Sequence, residues 1–449
     1  MPPRVRSHRT AWSITAACWV DGAALSHFPN FRSIVPLDFP PAPHPAWRSQ
    51  FPVRPGVTYL NHGSFGPSPN VVLESRHEWS HRLESEPMDF FLRQMEDQLD
   101  SARNDLGRFV GTAGRHLAFV DNATFAMNVV AGGLPLKPGD QVLANDHEYG
   151  AVLRIWRKRC QETGAQLVVS PLPPRLTSAE EVVAALFAQA TEKTRLIVVS
   201  HITSPTAVVL PIQAICQEAR RRGIAICVDG PHAPAAVPVA IDRLGCDFYC
   251  ASLHKWLAAP FGSGFLYVHP RWQQRMEPTI VSWGNSLSGR SSTWLDPYNW
   301  LGTRDPAPFL AVPAAIDYLN SLEAPPGADW TGPPTGLPVF QHYSHSLVQY
   351  ARRRIVDLTG LEPIIPDDPE WYSTMIGLPL PDCVPEPEAP HAHQMQHELW
   401  RRFAIEVPIV NWHGRWYVRV SAHLYNDQSD IDRLVDALDH LLRELSASR

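Results

Sequence analysis

The chain has 449 residues, 44% hydrophobic and 19% charged, more than a single core usually organises, so two lobes are expected. A formal charge of -6, with the basic triplets Arg157-Lys158-Arg159, Arg220-Arg221-Arg222 and Arg352-Arg353-Arg354 scattered rather than massed, argues against nucleic-acid binding. No apolar run is long enough to span a membrane, and the seven cysteines (18, 160, 216, 227, 246, 250, 383) have no C-x-x-C spacing, so neither a disulfide framework nor a metal knuckle is expected and a reducing cytoplasm fits best.

Arg4, Arg6 and Arg9 precede the apolar run Ala11 to Val20, which outlines an export signal, but Asp21-Gly22 interrupts it and no small-x-small cleavage site follows. Residues 1–45 therefore read as a disordered leader ending in the proline-rich spacer Pro40-Pro41-Ala42-Pro43-His44-Pro45, with the folded chain starting near Ala46. From about residue 95 to 270, short apolar runs alternate with amphipathic segments, the signature of a parallel sheet with crossover helices. Strands are expected at Gln141–Asn145, Gln166–Ser170, Arg195–His201, Ile224–Asp229, Asp247–Ala251 and Gly264–Val268. Helices are expected at Ala151–Thr163, Ala179–Gln189 and Pro211–Arg222, the last stopped by Gly223. The 44 prolines cluster at 40–45, 325–338 and 379–390 and mark loops, the second reading as an insertion. Past residue 340 the order becomes helix (Gln341–Leu358), strand (Tyr372–Leu378), helix (Gln394–Phe403) and a hairpin, Val407–Trp412 and Trp416–Ser421 around His413-Gly414. A final helix aligns Ile431, Leu434, Val435, Leu438, Leu441, Leu442 and Leu445 on one face. The expectation is an α/β domain over residues 46–310, its N-terminal segment packing near the active site, and a smaller α+β domain over 311–449.

In open α/β sheets ligands sit at the carboxyl ends of strands. The run Ile224 to Val228 ends in Asp229-Gly230-Pro231-His232, placing a carboxylate at a buried strand's lip; alone it is weak evidence, since an Asp ending a strand is more often a turn or helix cap. The next strand ends in Ser252-Leu253-His254-Lys255-Trp256. Lysines are scarce, only Lys137, Lys158, Lys193 and Lys255, and one among small and apolar neighbours would be a desolvated amine nucleophile; the bland alternative is a snorkelling surface lysine. Together, a strand-end carboxylate and Ser-x-His-Lys one strand further along supply what pyridoxal phosphate chemistry requires: an amine for the covalent link and a carboxylate for the pyridine nitrogen.

Asp229-x-x-His232 with Ser252-x-His254-Lys255 resembles the class V aminotransferase family of pyridoxal phosphate enzymes, fold type I. Tyr59-Leu60-Asn61-His62-Gly63-Ser64-Phe65-Gly66, Asn122-Ala123-Thr124-x-Ala126-x-Asn128, His147-Glu148-Tyr149-Gly150-Ala151, Ser200-His201-Ile202-Thr203-Ser204-Pro205-Thr206 and Gly302-Thr303-Arg304-Asp305 resemble its isopenicillin N epimerase-like branch. The likeness covers residues 46–445 and implies a large domain with a mostly parallel seven-stranded sheet sandwiched by helices, plus a smaller α+β domain. It further implies that Lys255 holds pyridoxal 5'-phosphate and moves protons at Cα, Asp229 pairs with the pyridine nitrogen, and His232 lies near the 3-hydroxyl. Tyr149 would stack on the ring, with His147 as alternative; Ala123, Thr124, Ser252 and His254 would hold the phosphate. Thr303 would reach the phosphate of the neighbouring subunit, implying a homodimer. Arg419 resembles the family arginine that clamps the substrate carboxylate; alternation aims it to the side of Tyr417 and Ser421, which leaves a surface salt bridge as the other reading.

The implied activity is at Cα of an amino-acid-type substrate, most like isopenicillin N epimerase, with carbon–sulfur lyase or aminotransferase as the alternatives. Val407–Tyr417 contains no cysteine and Cys383 lies in a proline-rich loop, which argues against cysteine desulfurase. Epimerisation needs a second acid/base opposite Lys255, with His62, His147 and Tyr149 as candidates and His62 also a substrate contact. No metal is called for. A nicotinamide-dependent oxidoreductase lacks its G-x-G-x-x-G after a strand, and a non-catalytic binding protein would have no need of Lys255 with Asp229.

Overall fold

The computed structural model describes residues 40–327, 330–385 and 393–447; the outlined export signal, Cys18, most of the leader and part of the third proline cluster lie outside them. Pro40 and Pro41 are already buried, so packed chain begins ahead of Ala46. Trp47 follows, buried edge-on against Tyr343 with ring centroids 4.9 Å apart.

Apart from a short first strand, β1 (Thr58–Tyr59), the chain builds its central sheet from β2 (Leu117–Val120), β3 (Gln141–Asn145), β4 (Gln166–Ser170), β5 (Thr194–Ser200), β6 (Ala225–Asp229), β7 (Phe248–Ser252) and β8 (Gly264–Val268). The spatial order is β2-β8-β7-β6-β5-β3-β4, and only β8 runs antiparallel to its neighbours. Helices α1 (Met95–Val110), α2 (Ala123–Gly133), α3 (Gly150–Thr163) and α4 (Ile212–Arg221) cover it. Alternation of side chains sorts each strand into two cores. Ile197, Val199, Ile226 and Val228 point to one face and pack with Leu99 and Leu106 of α1 and Ile215 of α4. Leu196, Val198, Ala225 and Cys227 point to the other and pack with Met127 and Val130 of α2 and Trp156 of α3. Burial on both faces is why these strands read as unbroken apolar runs.

Strand β2 was not expected. Its four consecutive apolar residues show no alternation, and its partner β8 lies far along the chain, so only pairing in space (Leu117 opposite Tyr267, Val120 opposite Gly264) makes it a strand. The other expected strands of this sheet lie within a residue of their observed limits, whereas the next strand shifts to Met375–Pro379.

The C-terminal part contains α5 (Leu337–Thr359), β9 (Met375–Pro379), α6 (Gln394–Phe403), β10 (Ile405–Glu406), β11 (Ile409–Trp412), β12 (Arg415–Ser421) and α7 (Gln428–Ala447). Strands β11, β12 and β9 form an antiparallel sheet in that order. His413 and Gly414 both take positive φ (51° and 75°), as the two-residue hairpin turn whose twist matches its strands requires. Although β1 precedes the large sheet in sequence, it pairs in parallel with β10, and Asn61 bridges to Ser421 on β12. Thr58 adds a hydrogen bond to buried Asp430 of α7 at 2.8 Å. This stitching carries Gly63 and Ser64 directly to the cleft between the two sheets. No described helix is long and apolar enough to cross a membrane.

Candidate active site

A cavity of about 300 Å³ opens at the carboxyl ends of β5, β6 and β7. Asp229 closes β6 and Ser252 closes β7, so parallel pairing by itself brings this carboxylate and hydroxyl to one edge of the sheet. Lys255 lies in the turn just beyond β7, its Nζ 2.9 Å from His232 Nε2. Burial pushes the lysine amine down to about 7, with the Arg419 charge acting in the same direction and Asp229 opposing. Burial pushes the Asp229 carboxyl up to about 7, against the pull of Lys255, and no described group donates a hydrogen bond to it. His232 is held far below the ordinary histidine range by burial and then by the Lys255 charge, and its Nδ1 is buried without a partner.

At the other end of the cavity, Asn122 caps α2 by accepting from Phe125 N at 2.9 Å, and Ser252 Oγ accepts from Ala123 N at 3.0 Å. The Thr124 N–H and hydroxyl, exposed on the first turn, are left open, and His254 Nδ1 is buried with no partner. A helix N-terminus with unclaimed donors is a ready anion cradle. Tyr149, the residue before α3, stands half-exposed at the cavity mouth.

Arg419 comes in from β12. It is 5% exposed and forms no ion pair with a described carboxylate. Instead Nη1 donates to Ser204 O (2.6 Å) and Oγ (3.3 Å), Nη2 donates to Ser64 Oγ (2.6 Å), and Nε has no partner. Burial drives its pKa down to about 10. The surface salt-bridge reading therefore falls: a buried guanidinium held by neutral oxygens is a site prepared for an anion.

Three expected residues sit elsewhere. His62 does not line the cavity; it lies beneath the Lys255 turn, with Nε2 3.0 Å from Lys255 O, Nδ1 2.9 Å from the Tyr425 hydroxyl, and its ring stacked 4.1 Å from His423. Both nitrogens are occupied, by the Tyr425 hydroxyl and the Lys255 carbonyl, and burial lowers its pKa to about 3. His147 is likewise turned away, its Nδ1 2.7 Å from Thr206 Oγ1 and its ring 4.3 Å from Trp412, so it neither stacks in the cavity nor reaches it. Thr303 is exposed and outside its own chain's cavity, on a turn pinned by Arg304 to Asp121 (2.7 Å) and by Asp305 to Ser80 (2.6 Å).

Ser64 and Ser204 were quoted within motifs but given no role; only the meeting of three distant segments shows that they hold Arg419. Glu148 was missed as well. Buried behind the cavity, it accepts from Asn145 Nδ2 (2.6 Å), Ser200 N (2.7 Å) and Ser200 Oγ (2.7 Å), and burial pushes its carboxyl up to about 8. Cys383 packs against the hydrophobic core and does not line the cavity.

Gly66 holds His62 and the lysine turn together. A Cβ there would stand 2.3 Å from His62 Nε2 and 2.7 Å from His254 O, a backbone atom that cannot swing aside. Gly66→Ala is expected to lower unfolding stability by about 1–3 kcal/mol, as overpacking does, and to weaken cofactor retention. Urea unfolding and dialysis against buffer check this; an unchanged protein would disprove the contact.

An amine nucleophile, a strand-end carboxylate and an open helix N-terminus around one cavity define an enzyme that uses pyridoxal 5'-phosphate. The chain belongs to the class-V aminotransferase family, whose profile matches residues 58–434. It is 36% identical over 408 residues to isopenicillin N epimerase of Streptomyces clavuligerus, covering 88% of this chain and 98% of that one. A putative L-cysteine desulfhydrase 1 of Oryza sativa subsp. japonica is 28% identical, covering 87% of this chain and 84% of the relative. Among solved structures, a C-DES variant with glycine covalently linked to its PLP cofactor shares the fold at a TM-score of 0.71 and 21% identity, covering 87% of this chain and 98% of that one. Pyridoxal 5'-phosphate is accordingly the cofactor, and the residues fit it: unclaimed donors at Thr124 and His254 at one end, the unbonded Asp229 carboxyl at the other, and the Lys255 amine within the same cavity.

Proposed function

We propose that the enzyme inverts the configuration at Cα of an amino-acid-type substrate, most like isopenicillin N epimerase. Pyridoxal phosphate, when bound, supplies an electrophilic carbonyl for an amino group and a conjugated ring that accepts electron density from Cα. Thr124, Ser252, His254 and the α2 N-terminus would hold its phosphate, and Asp229 would keep a proton at the pyridine nitrogen, with His232 near the 3-hydroxyl. Arg419 would bind the substrate carboxylate as a planar fork. Lys255, with an amine poised near pH 7, would take and return a proton on one face of Cα.

The observation that carries inversion is the fate of the three candidates for the second proton. His62 and His147 are turned away, which leaves the Tyr149 hydroxyl, at the cavity mouth and near enough to Arg419 to act on its charge. The exposed Thr303 turn suits contact with a neighbouring subunit's phosphate in a homodimer, and six described cysteines, all free thiols, suit a reducing cytoplasm. A second reading is carbon–sulfur elimination, favoured by the desulfhydrase-named relative and by the fact that elimination needs only Lys255.

Incubation of holoenzyme with isopenicillin N and a panel of L-amino acids in deuterated water separates these. Inversion gives deuterium at Cα and the opposite stereoisomer by chiral chromatography, with the Tyr149→Phe variant exchanging deuterium but no longer inverting. Release of ammonia, an oxo acid and sulfide from cysteine, with no stereoisomer formed, would replace the proposal by the lyase reading.

A further inference from the structure

A second cavity, of about 510 Å³, opens at the opposite end of the same strands, where β6 and β7 begin beside Ile224 and Asp247. Its charges are not balanced. Asp247 is buried and fully used, accepting from Ile226 N (3.0 Å), Arg271 Nε (2.8 Å) and Trp272 Nε1 (2.8 Å), so Arg271 and Asp247 cancel. Asp242 accepts from the Thr112 hydroxyl at 2.7 Å and is the one other carboxylate in the lining, against Arg115 and Arg220. Arg220 is oriented: it donates to Leu244 O at 3.0 Å, and its guanidinium lies over Gly245, where a Cβ would fall 1.9 Å from Nη2. That leaves its remaining N–H groups for another partner. His116 Nδ1 accepts from Gln273 Nε2 (2.9 Å), which leaves its Nε2 open. Tyr267, on β8, lines the cavity with only 4% of its surface exposed, and its hydroxyl has no described hydrogen-bond partner.

An oriented guanidinium, a second arginine, an open imidazole nitrogen and a phenol hydroxyl with no described partner, all around one concave space, form a donor-rich, net-positive lining. We propose that this cavity is a second ligand site, separate from the catalytic pocket, that binds a small oxyanion-bearing metabolite through its phosphate or carboxylate group. Ile224, Ile226 and Cys216 supply an apolar wall for the rest of such a ligand.

The test uses holoenzyme freed of excess pyridoxal phosphate, so that the α2 N-terminus is already occupied. Inorganic phosphate and, in a parallel arm, acetate are titrated by calorimetry against sodium chloride of equal ionic strength, and the arm whose binding Arg220→Gln weakens identifies the head group, since Arg419 in the catalytic pocket is untouched by that change. The expected result is saturable binding that weakens about tenfold in Arg220→Gln, the loss of a charged hydrogen bond, and measurably in Tyr267→Phe, which keeps the ring and so guards against misfolding. Both variants should retain the cofactor's visible absorption. No heat beyond the chloride control, or binding equal in wild type and both variants, would overturn the site.

Discussion

Lys255→Ala is expected to fold, to show no visible absorption band that borohydride fixes, and to lose at least about 10³-fold in turnover, the scale on which removal of a covalent nucleophile acts. The fold should survive because removing an amine held in a cavity deletes no core packing, and a buried ammonium is a cost rather than a support. The pH dependence is the sharper result. Burial and the Arg419 charge bring the amine from its ordinary 10.5 down to about 7. The neutral amine is the reactive form, so in wild type the rate of pyridoxal phosphate capture should rise about tenfold per pH unit up to about 7 and then level. A lysine in water would keep rising toward pH 10. Stopped-flow absorbance of apoenzyme mixed with cofactor across pH 5.5–9.5 measures this, and a rate still climbing above pH 9 would refute the desolvated amine.

Arg419→Gln should have two effects at once. The first is on substrate: losing a fork of charged hydrogen bonds, at about 1.5–3 kcal/mol, predicts a rise in KM of roughly 10- to 100-fold for any substrate carrying an α-carboxylate. The second is on the lysine. The guanidinium disfavours the Lys255 ammonium, so removing it should raise the lysine pKa and move the levelling of the capture profile to higher pH. A merely structural loss would lower the amplitude of both measurements without moving that midpoint. If KM and the profile are both unchanged, Arg419 neither meets substrate nor shapes the field at the amine, and its orphaned Nε needs another explanation.

Much of the central sheet was legible because doubly buried strands are dense apolar runs, and Asp229 and Lys255 were legible because one ends such a run and the other lies in the turn just beyond the next. The hairpin was announced by His413-Gly414 between alternating segments. What escaped had no local period. β2 is a strand only because β8 lies beside it, and β1 is one only because β10 does. The surroundings of His62 and His147 escaped for the same reason: a histidine in a motif looks the same whether it lines a cavity or, as here, meets Tyr425 and the Lys255 carbonyl in one case and Thr206 in the other.

The sequence by itself determined the class of chemistry. Residue type and strand-end position are local properties, and an Asp ending one strand and a Lys in the turn just after its parallel neighbour must emerge at one edge. Tertiary structure alone decided which side chains meet in the cavity and in what environment. The pKa of Lys255, the clamp of Ser64 and Ser204 on Arg419, and the inward turn of two histidines all depend on segments far apart in the chain meeting in a space from which water is displaced. Desolvation and hydrogen-bond satisfaction are properties of that enclosure, and no run of residues carries them.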